Sequence, residues 1–319
     1  MSGFRTLYSN YASVQKQKRA NAPYSVRCFN FWRDEEIRDM WFFRFAMHRD
    51  IIKRGKKLCF FSTFGNRDLI DKVYGDVNVF FSGENLKRQS FGQYADHLLN
   101  KEKLDLALGF EYFEDSRYFR FPLWLHYMFA PESTVGQIHE RCEQLMYPVI
   151  GNRSKFACHV SSEDFMGLRK TVCESLSQIS RVDCAGKTLH NCDNLWNDFK
   201  NDKHSFLQQY KFNICPENSN AGGYVTEKVF QAIDAGCIPV YWGSYNNPEP
   251  EVLNPDAILF WNYGANNDSL INQTKEINLN NDCYFDFACQ PRLVPTAAEY
   301  VINEFEELEG KLKSLLANI

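Results

Sequence analysis

The segment Tyr210–Gly243, YKFNICPENSNAGGYVTEKVFQAIDAGCIPVYWG, gathers residue types that could hold a charged ligand. It reads as strand, polar loop, amphipathic helix and second strand. The loop would lie at the carboxyl end of one strand and the amino end of one helix, where open α/β sheets take their ligands. Gly222 and Gly223 let a backbone approach a bound group closely. The N–H groups and positive dipole end of the helix start suit a phosphate. Lys228, in the first turn, could bring its ammonium to the same anion. Glu227 is turned about 100° around the helix. Beside a phosphate it is costly unless it serves a sugar or ribose hydroxyl, or positive charge developing at a sugar carbon. The same residues also fit an ordinary exposed helix start with a glycine turn, and both readings stand at this level.

The surrounding elements must place that loop. Apolar runs at Ser25–Trp32, Lys57–Thr63, Asp76–Ser82 and Asp105–Phe110 read as strands, with a helix over about Glu35–Lys53 after the capping-type Asp34. Residues 111–155 break this rhythm with aromatic and charged residues and a helical stretch to Met146. The alternation resumes with strands at Phe156–Ser161 and Arg181–Cys184 around a helix at Phe165–Ile179, whose apolar face is Leu168, Val172, Leu176 and Ile179. A short helix at His204–Tyr210 precedes the ligand segment, and Ala257–Trp261 is a further strand. The last 25 residues form an acidic amphipathic helix. Two α/β halves in sequence fit two facing Rossmann-like domains with a cleft between them. The expected bounds are 1–149, 150–295 and a terminal helix at 296–319 that packs across both.

The 319 residues carry 36 Lys and Arg against 40 Asp and Glu, a net charge of −4, without the basic footprint of a nucleic-acid binder. Residues 1–150 hold 22 basic and 18 acidic residues, residues 151–319 only 14 against 22. A phosphate in the second half must therefore be held by a few placed cations and backbone N–H groups rather than by bulk field. The 11 cysteines show no zinc spacing and read as reduced, mostly buried thiols of a cytosolic protein. Sequons at Asn152, Asn267 and Asn272 are of a kind common by chance. The amino terminus has no apolar signal region, and the densest apolar stretch, Met40–Met47, is too short to span a bilayer.

The ligand segment resembles the signature of the α-1,3/α-1,4-fucosyltransferases, glycosyltransferase family 10. The matching residues are Tyr210-Lys211-Phe212, Glu217-Asn218-Ser219, Gly223-Tyr224-Val225-Thr226-Glu227-Lys228 and Ile238-Pro239-Val240-Tyr241-Trp242-Gly243. Ser82-Gly83-Glu84-Asn85, Gly109-Phe110 and Arg117-Tyr118-Phe119-Arg120-Phe121-Pro122-Leu123 are similar to the amino-terminal half of bacterial members. The resemblance covers roughly residues 57–290 and departs at Pro216, where an aromatic often stands before Glu-Asn. Within these residues nothing resembles the heptad repeats and basic helix of some bacterial relatives or the membrane stem of Golgi relatives.

The resemblance implies a GT-B fold and inverting transfer of L-fucose from GDP-fucose to a hydroxyl of N-acetylglucosamine or glucose in an oligosaccharide. It places GDP-fucose around Asn218, Tyr224, Glu227 and Lys228. The family's diphosphate-binding arginine begins a helix 14 residues before the Asp of an RVD-like strand. That position is Arg169, which with Lys228 would stabilise departing GDP without a metal; alone, Arg169 reads as an exposed helix-start residue. The family places its general base after the Gly-Phe pair. Here that is Glu111, with Glu114 second because this loop is one residue shorter; Glu111, Glu114 and Asp115 otherwise read as a solvated charge cluster. His126, among aromatics, reads as a core residue. Most of the neighbouring aromatics read as core, with Tyr112 or Trp124 able to line an acceptor cleft. Glu217 reads as an acceptor for loop N–H groups rather than a ligand contact. The implied setting is a bacterial-type cytoplasmic enzyme, its association with the inner membrane left open, with no cofactor beyond its donor substrate, no metal and no nucleic acid.

Overall fold

The computed structural model describes residues 2–32, 35–67, 69–70, 75–94, 104–164 and 166–319. The chain forms two compact units, one of Met1–Val135 with Val301–Ile319 and the other of Gly136–Tyr300.

The first unit is built on five parallel strands, β1 Val26–Phe29, β2 Leu58–Phe61, β3 Val77–Phe81, β4 Leu106–Gly109 and β5 Tyr118–Arg120, neighbouring one another in chain order. β2, β3 and β4 are buried along their whole length, as expected of parallel strands covered on both faces. The expected strands are present. The expected 35–53 helix is shorter, an α-helix at Trp41–His48 preceded by a single 3₁₀ turn at Ile37–Asp39. Asp34 lies outside the described residues.

Among the elements that escaped sequence reading are helix α1, Ser2–Asn21, and strand β5 of the first unit. Helix α1 has no strong apolar stripe. Its Asn21 instead pairs with the outer edge of β1, accepting from Cys28 N at 2.7 Å and donating to Cys28 O at 2.9 Å, while Gln17 Oε1 accepts from Asn30 N at 2.8 Å. Polar side chains so satisfy an edge that would otherwise invite further pairing. Strand β5 follows β4 through the loop 110–117 alone, shorter than the usual helical crossover between parallel neighbours. After β5 comes α3, Leu123–Met128, the Trp41–His48 helix being α2; the next helix, α4, Val135–Met146, lies in the second unit from Gly136 on. In the final helix, Ala297–Ala317, Phe305 packs edge-on to Trp41 at 5.5 Å, and Glu309 pairs with Arg49 at 2.7 Å. Trp124 is fully buried and lines no surface.

The second unit has strands β6 Lys155–His159, β7 Val182–Cys184, β8 Tyr210–Ile214, β9 Ile238–Tyr241 and β10 Leu259–Phe260, all parallel, in the spatial order β7-β6-β8-β9-β10. The order reverses between β6 and β8, so the connections leaving their carboxyl ends part in opposite directions and open a crevice. Helix α5, Leu168–Ser177, buries Leu168, Val172, Cys173 and Leu176 against the sheet, with Ile179 packed behind them. Short helices α6, Asn194–Asn197, and α7, Lys203–Leu207, lead into β8, and α8, Glu227–Asp234, leads into β9. Arg153, buried beneath the sheet, donates to the carbonyls of Tyr210 at 3.0 Å and Ala235 at 2.6 Å, tying β8 to the end of α8.

Candidate active site

The crevice between β6 and β8 holds a cavity lined by His159, Ser161, Arg169, Lys203, Asn213 and Lys228. A second adjoins it, lined by Asp164, Arg169, Glu217, Asn218 and Trp242, with Arg169 common to both. Three cations from three helices thus converge on one opening. Arg169 is not an exposed helix-start residue: it is 4% exposed. Its Nη2 donates to Asn218 Oδ1 at 2.7 Å and to Pro216 O at 3.3 Å, and its Nη1 donates to Glu163 O. The Asp164 carboxylate accepts from the backbone N–H groups of Arg169 and Lys170 at 3.2 and 2.9 Å, fixing the start of α5.

The loop before α8 is organised by Glu217, whose side chain is wholly inaccessible to solvent. Its Oε1 accepts from Thr226 N at 2.7 Å; its Oε2 accepts from the Thr226 hydroxyl at 2.7 Å and from Lys228 Nζ at 3.0 Å. A buried carboxylate is tolerated when its lone pairs are met in this way. Lys228 Nζ also donates to Thr226 Oγ1 at 2.7 Å, so the lattice sets where its ammonium stands. Gly243, at φ +150°, leaves the room this needs: a Cβ there would come within 2.7 Å of Glu217 Cγ. Glu227 lies 3.9 Å from Lys228 Nζ. Burial pushes its carboxyl pKa up, but Lys228, Lys203 and hydrogen bonds from its own backbone N–H and the Thr226 side chain together hold it below its ordinary value, so it is ionised at neutral pH.

Of the residues expected at the site, Arg169, Asn218, Glu227 and Lys228 are brought together. Tyr224 is fully buried beneath the loop. Glu111 belongs to the first unit, just past the carboxyl end of β4, where Tyr118 Oη donates to its carboxylate at 3.2 Å and to its backbone oxygen at 3.0 Å. His126 sits within an aromatic cage, 5.2 Å from Trp32 and 5.7 Å from Trp41 by ring centroid, and burial lowers its pKa to about 3.

Among the crevice residues that were missed are Lys203 and His159. Lys203 opens α7, behind Asp202, whose carboxylate caps Ser205 N at 3.2 Å; reading the helix from His204 left it outside. His159 ends β6, where an apolar strand gave no hint of a ring nitrogen. Its Nδ1 donates to Ile214 O at 2.8 Å, so the neutral tautomer has Nε2 accepting from Ser161 Oγ at 2.7 Å.

Burial, against the opposing bond to Ile214, lowers the His159 pKa to about 4. An unfolded chain binds this proton near pH 6.5, the folded one only near 4. Between those values the unfolded state holds more protons, so stability falls as pH is lowered, by about 3 kcal/mol over the full window. Urea midpoints measured from pH 7 to 4 are expected to show this slope, and His159→Gln to flatten it. Equal slopes in the two proteins would refute the assignment.

Two family descriptions match this chain. "Glycosyltransferase family 10 (fucosyltransferase) C-term" matches residues 150–289, and "Alpha-(1,3)-fucosyltransferase FucT N-terminal domain" matches residues 26–127. Alpha-(1,3)-fucosyltransferase FucT of Helicobacter pylori is 26% identical over 316 residues, covering 88% of this chain and 62% of that protein. Alpha-(1,3)-fucosyltransferase B of Drosophila melanogaster is 28% identical over 193 residues, covering 52% of this chain and 42% of that protein. The chain thus spans less than two thirds of the length of these relatives. A crystal structure of an alpha1,3-fucosyltransferase superposes with a TM-score of 0.59 at 22% identity, covering 89% of each chain. A structure of alpha1,3-fucosyltransferase with GDP-fucose gives 0.54 at 21% identity over the same shares. This likeness shows the fold, α/β of the GT-B class with two Rossmann-like units. With both halves matched by their own models and the signature loop seated at the strand-order reversal, the chain belongs to glycosyltransferase family 10, the fucosyltransferases.

Proposed function

We propose that the protein transfers L-fucose from GDP-fucose, with inversion, to a hydroxyl of N-acetylglucosamine or glucose in an oligosaccharide, forming an α-1,3 or α-1,4 linkage. The observation that carries this is the cavity at the β6–β8 reversal, where buried Arg169 and lattice-held Lys228 meet beside an ionised Glu227. Such a site suits a sugar nucleotide: cations for the diphosphate, a carboxylate for the sugar.

In this reading the acceptor oxygen attacks the fucose anomeric carbon as its bond to the diphosphate oxygen breaks. The bonding pair leaves on GDP, and the acceptor proton passes to Glu111. Arg169 and Lys228 stabilise the charge that grows on the departing diphosphate. Glu227 holds fucose hydroxyls or faces the positive charge at the anomeric carbon. Asn218, bonded to Arg169, completes the donor site, and Tyr224 supports its loop from beneath. In this reading those two cations do the charge work, so transfer needs no metal ion. No helix among the described residues is long and apolar enough to cross a membrane. The cytoplasm is the proposed compartment, supported by eleven cysteines that are all free thiols.

The test is GDP release from GDP-fucose with N-acetyllactosamine, lactose or a type 1 disaccharide, with EDTA present. Acceptor-dependent release is expected with at least one. In N-acetyllactosamine the galactose occupies O4 and leaves O3, whereas the type 1 disaccharide leaves O4, so the pair separates the two linkages. Absence of GDP binding would overturn the proposal.

A further inference from the structure

The third cation of the crevice has no carboxylate partner. Lys203 Nζ donates to the neutral amide oxygen of Gln231 at 2.7 Å, and no carboxylate lies within ion-pair distance of it among the described residues. Gln231 stands one helical turn after Glu227 on α8, so the Lys203 stem crosses the helix face that carries Glu227 and points into the opening that Arg169 and Lys228 also line. Lys203 is half-buried, and drawing an ammonium partly out of water without a paired carboxylate is costly. The cost shows in its titration: burial lowers the Lys203 pKa, and the attraction of Glu227 offsets only part of this. Lys228, by contrast, has two carboxylates at ion-pair distance, Glu217 at 3.0 Å and Glu227 at 3.9 Å.

Resting on the sugar-nucleotide reading above, we propose that Lys203 is a third cation for the diphosphate, completing with Arg169 and Lys228 a three-sided anion cradle. Its Gln231 bond is the resting contact from which the ammonium swings to a phosphate oxygen. A lysine suits this better than an arginine, because its compact ammonium on a flexible stem can change partners.

The experiment measures GDP and guanosine affinities by calorimetry for the wild type, Lys203→Met and Gln231→Met. Lys203→Met keeps the aliphatic stem and removes the charge. It is expected to weaken GDP binding about 10- to 100-fold, in line with loss of a charge-assisted bond, and to leave guanosine affinity unchanged. Gln231→Met removes the resting partner alone and is expected to bind GDP at least as tightly as the wild type. Equal losses for GDP and guanosine in Lys203→Met, or a matching GDP loss in Gln231→Met, would mean that Lys203 only braces α7 against α8. Unchanged GDP affinity in Lys203→Met would also overturn the inference. A wild type that binds no GDP fails the sugar-nucleotide reading itself, a different result.

Discussion

Glu111→Ala is expected to lower fucose transfer by about 10²- to 10⁴-fold, the usual worth of a positioned general base, while GDP affinity stays within about twofold. The loss should fall on turnover, because the acceptor proton then has no acceptor at the moment of attack. The geometry behind this is specific. Glu111 follows β4 by two residues, and its carboxylate is held by Tyr118 Oη at 3.2 Å. Gly109 leaves the space in which carboxylate and hydroxyl meet: a Cβ there would lie 2.9 Å from both Glu111 Oε2 and Tyr118 Oη. Tyr118 is buried, whereas the Glu111 carboxylate is the end of a flexible side chain and gives way first. Gly109→Ala should therefore reproduce much of the transfer loss at little cost in melting temperature. Glu114, exposed on the same loop, should tolerate alanine within a few-fold. Steady-state transfer and GDP calorimetry on the three variants decide the matter, and full activity of Glu111→Ala would remove it from the mechanism.

Lys228→Met is expected to lose both functions, with GDP binding weakened about 10²-fold and transfer reduced further, since the charge it meets grows as GDP departs. This variant carries a structural cost that must be separated. Removing the ammonium leaves Glu217, with no side-chain exposure, short of one of its three hydrogen-bond donors. Breaking a buried pair from one side typically costs about 3–5 kcal/mol. The double variant Lys228→Met with Glu217→Gln removes the orphaned charge while keeping an oxygen for Thr226. It should regain much of the thermal stability and none of the GDP affinity. Recovery of GDP binding along with stability would show that Lys228 acts only by holding the loop.

The donor loop was legible because its information is local. Strand, Gly222-Gly223, Thr226 and Lys228 follow within one continuous segment, and the helix start is set by Thr226 with Glu217 nine residues before it. Helix α1 and strand β5, both missed, had no such local mark. Helix α1 is held by polar contacts to the edge of β1, which no apolar period announces. Strand β5 is three residues long and follows β4 without a helix, so the expected alternation passed over it.

By itself the sequence determined the α/β class, most of the strands, the signature loop and, through the family resemblance, Arg169 as a cation of the site. Burial and partners came only with the tertiary structure. Arg169 reads along the chain as a surface residue and is enclosed because β6 and β8 pair while β7 lies beyond β6. The same reversal brings His159, at the end of β6, against Ile214, at the end of β8, 55 positions later. Lys203 reaches the cavity from a helix whose local pattern shows only an ordinary N-cap. Contacts of this separation are fixed by strand order, and strand order is set by how all the buried faces pack together, which no local window of residues contains.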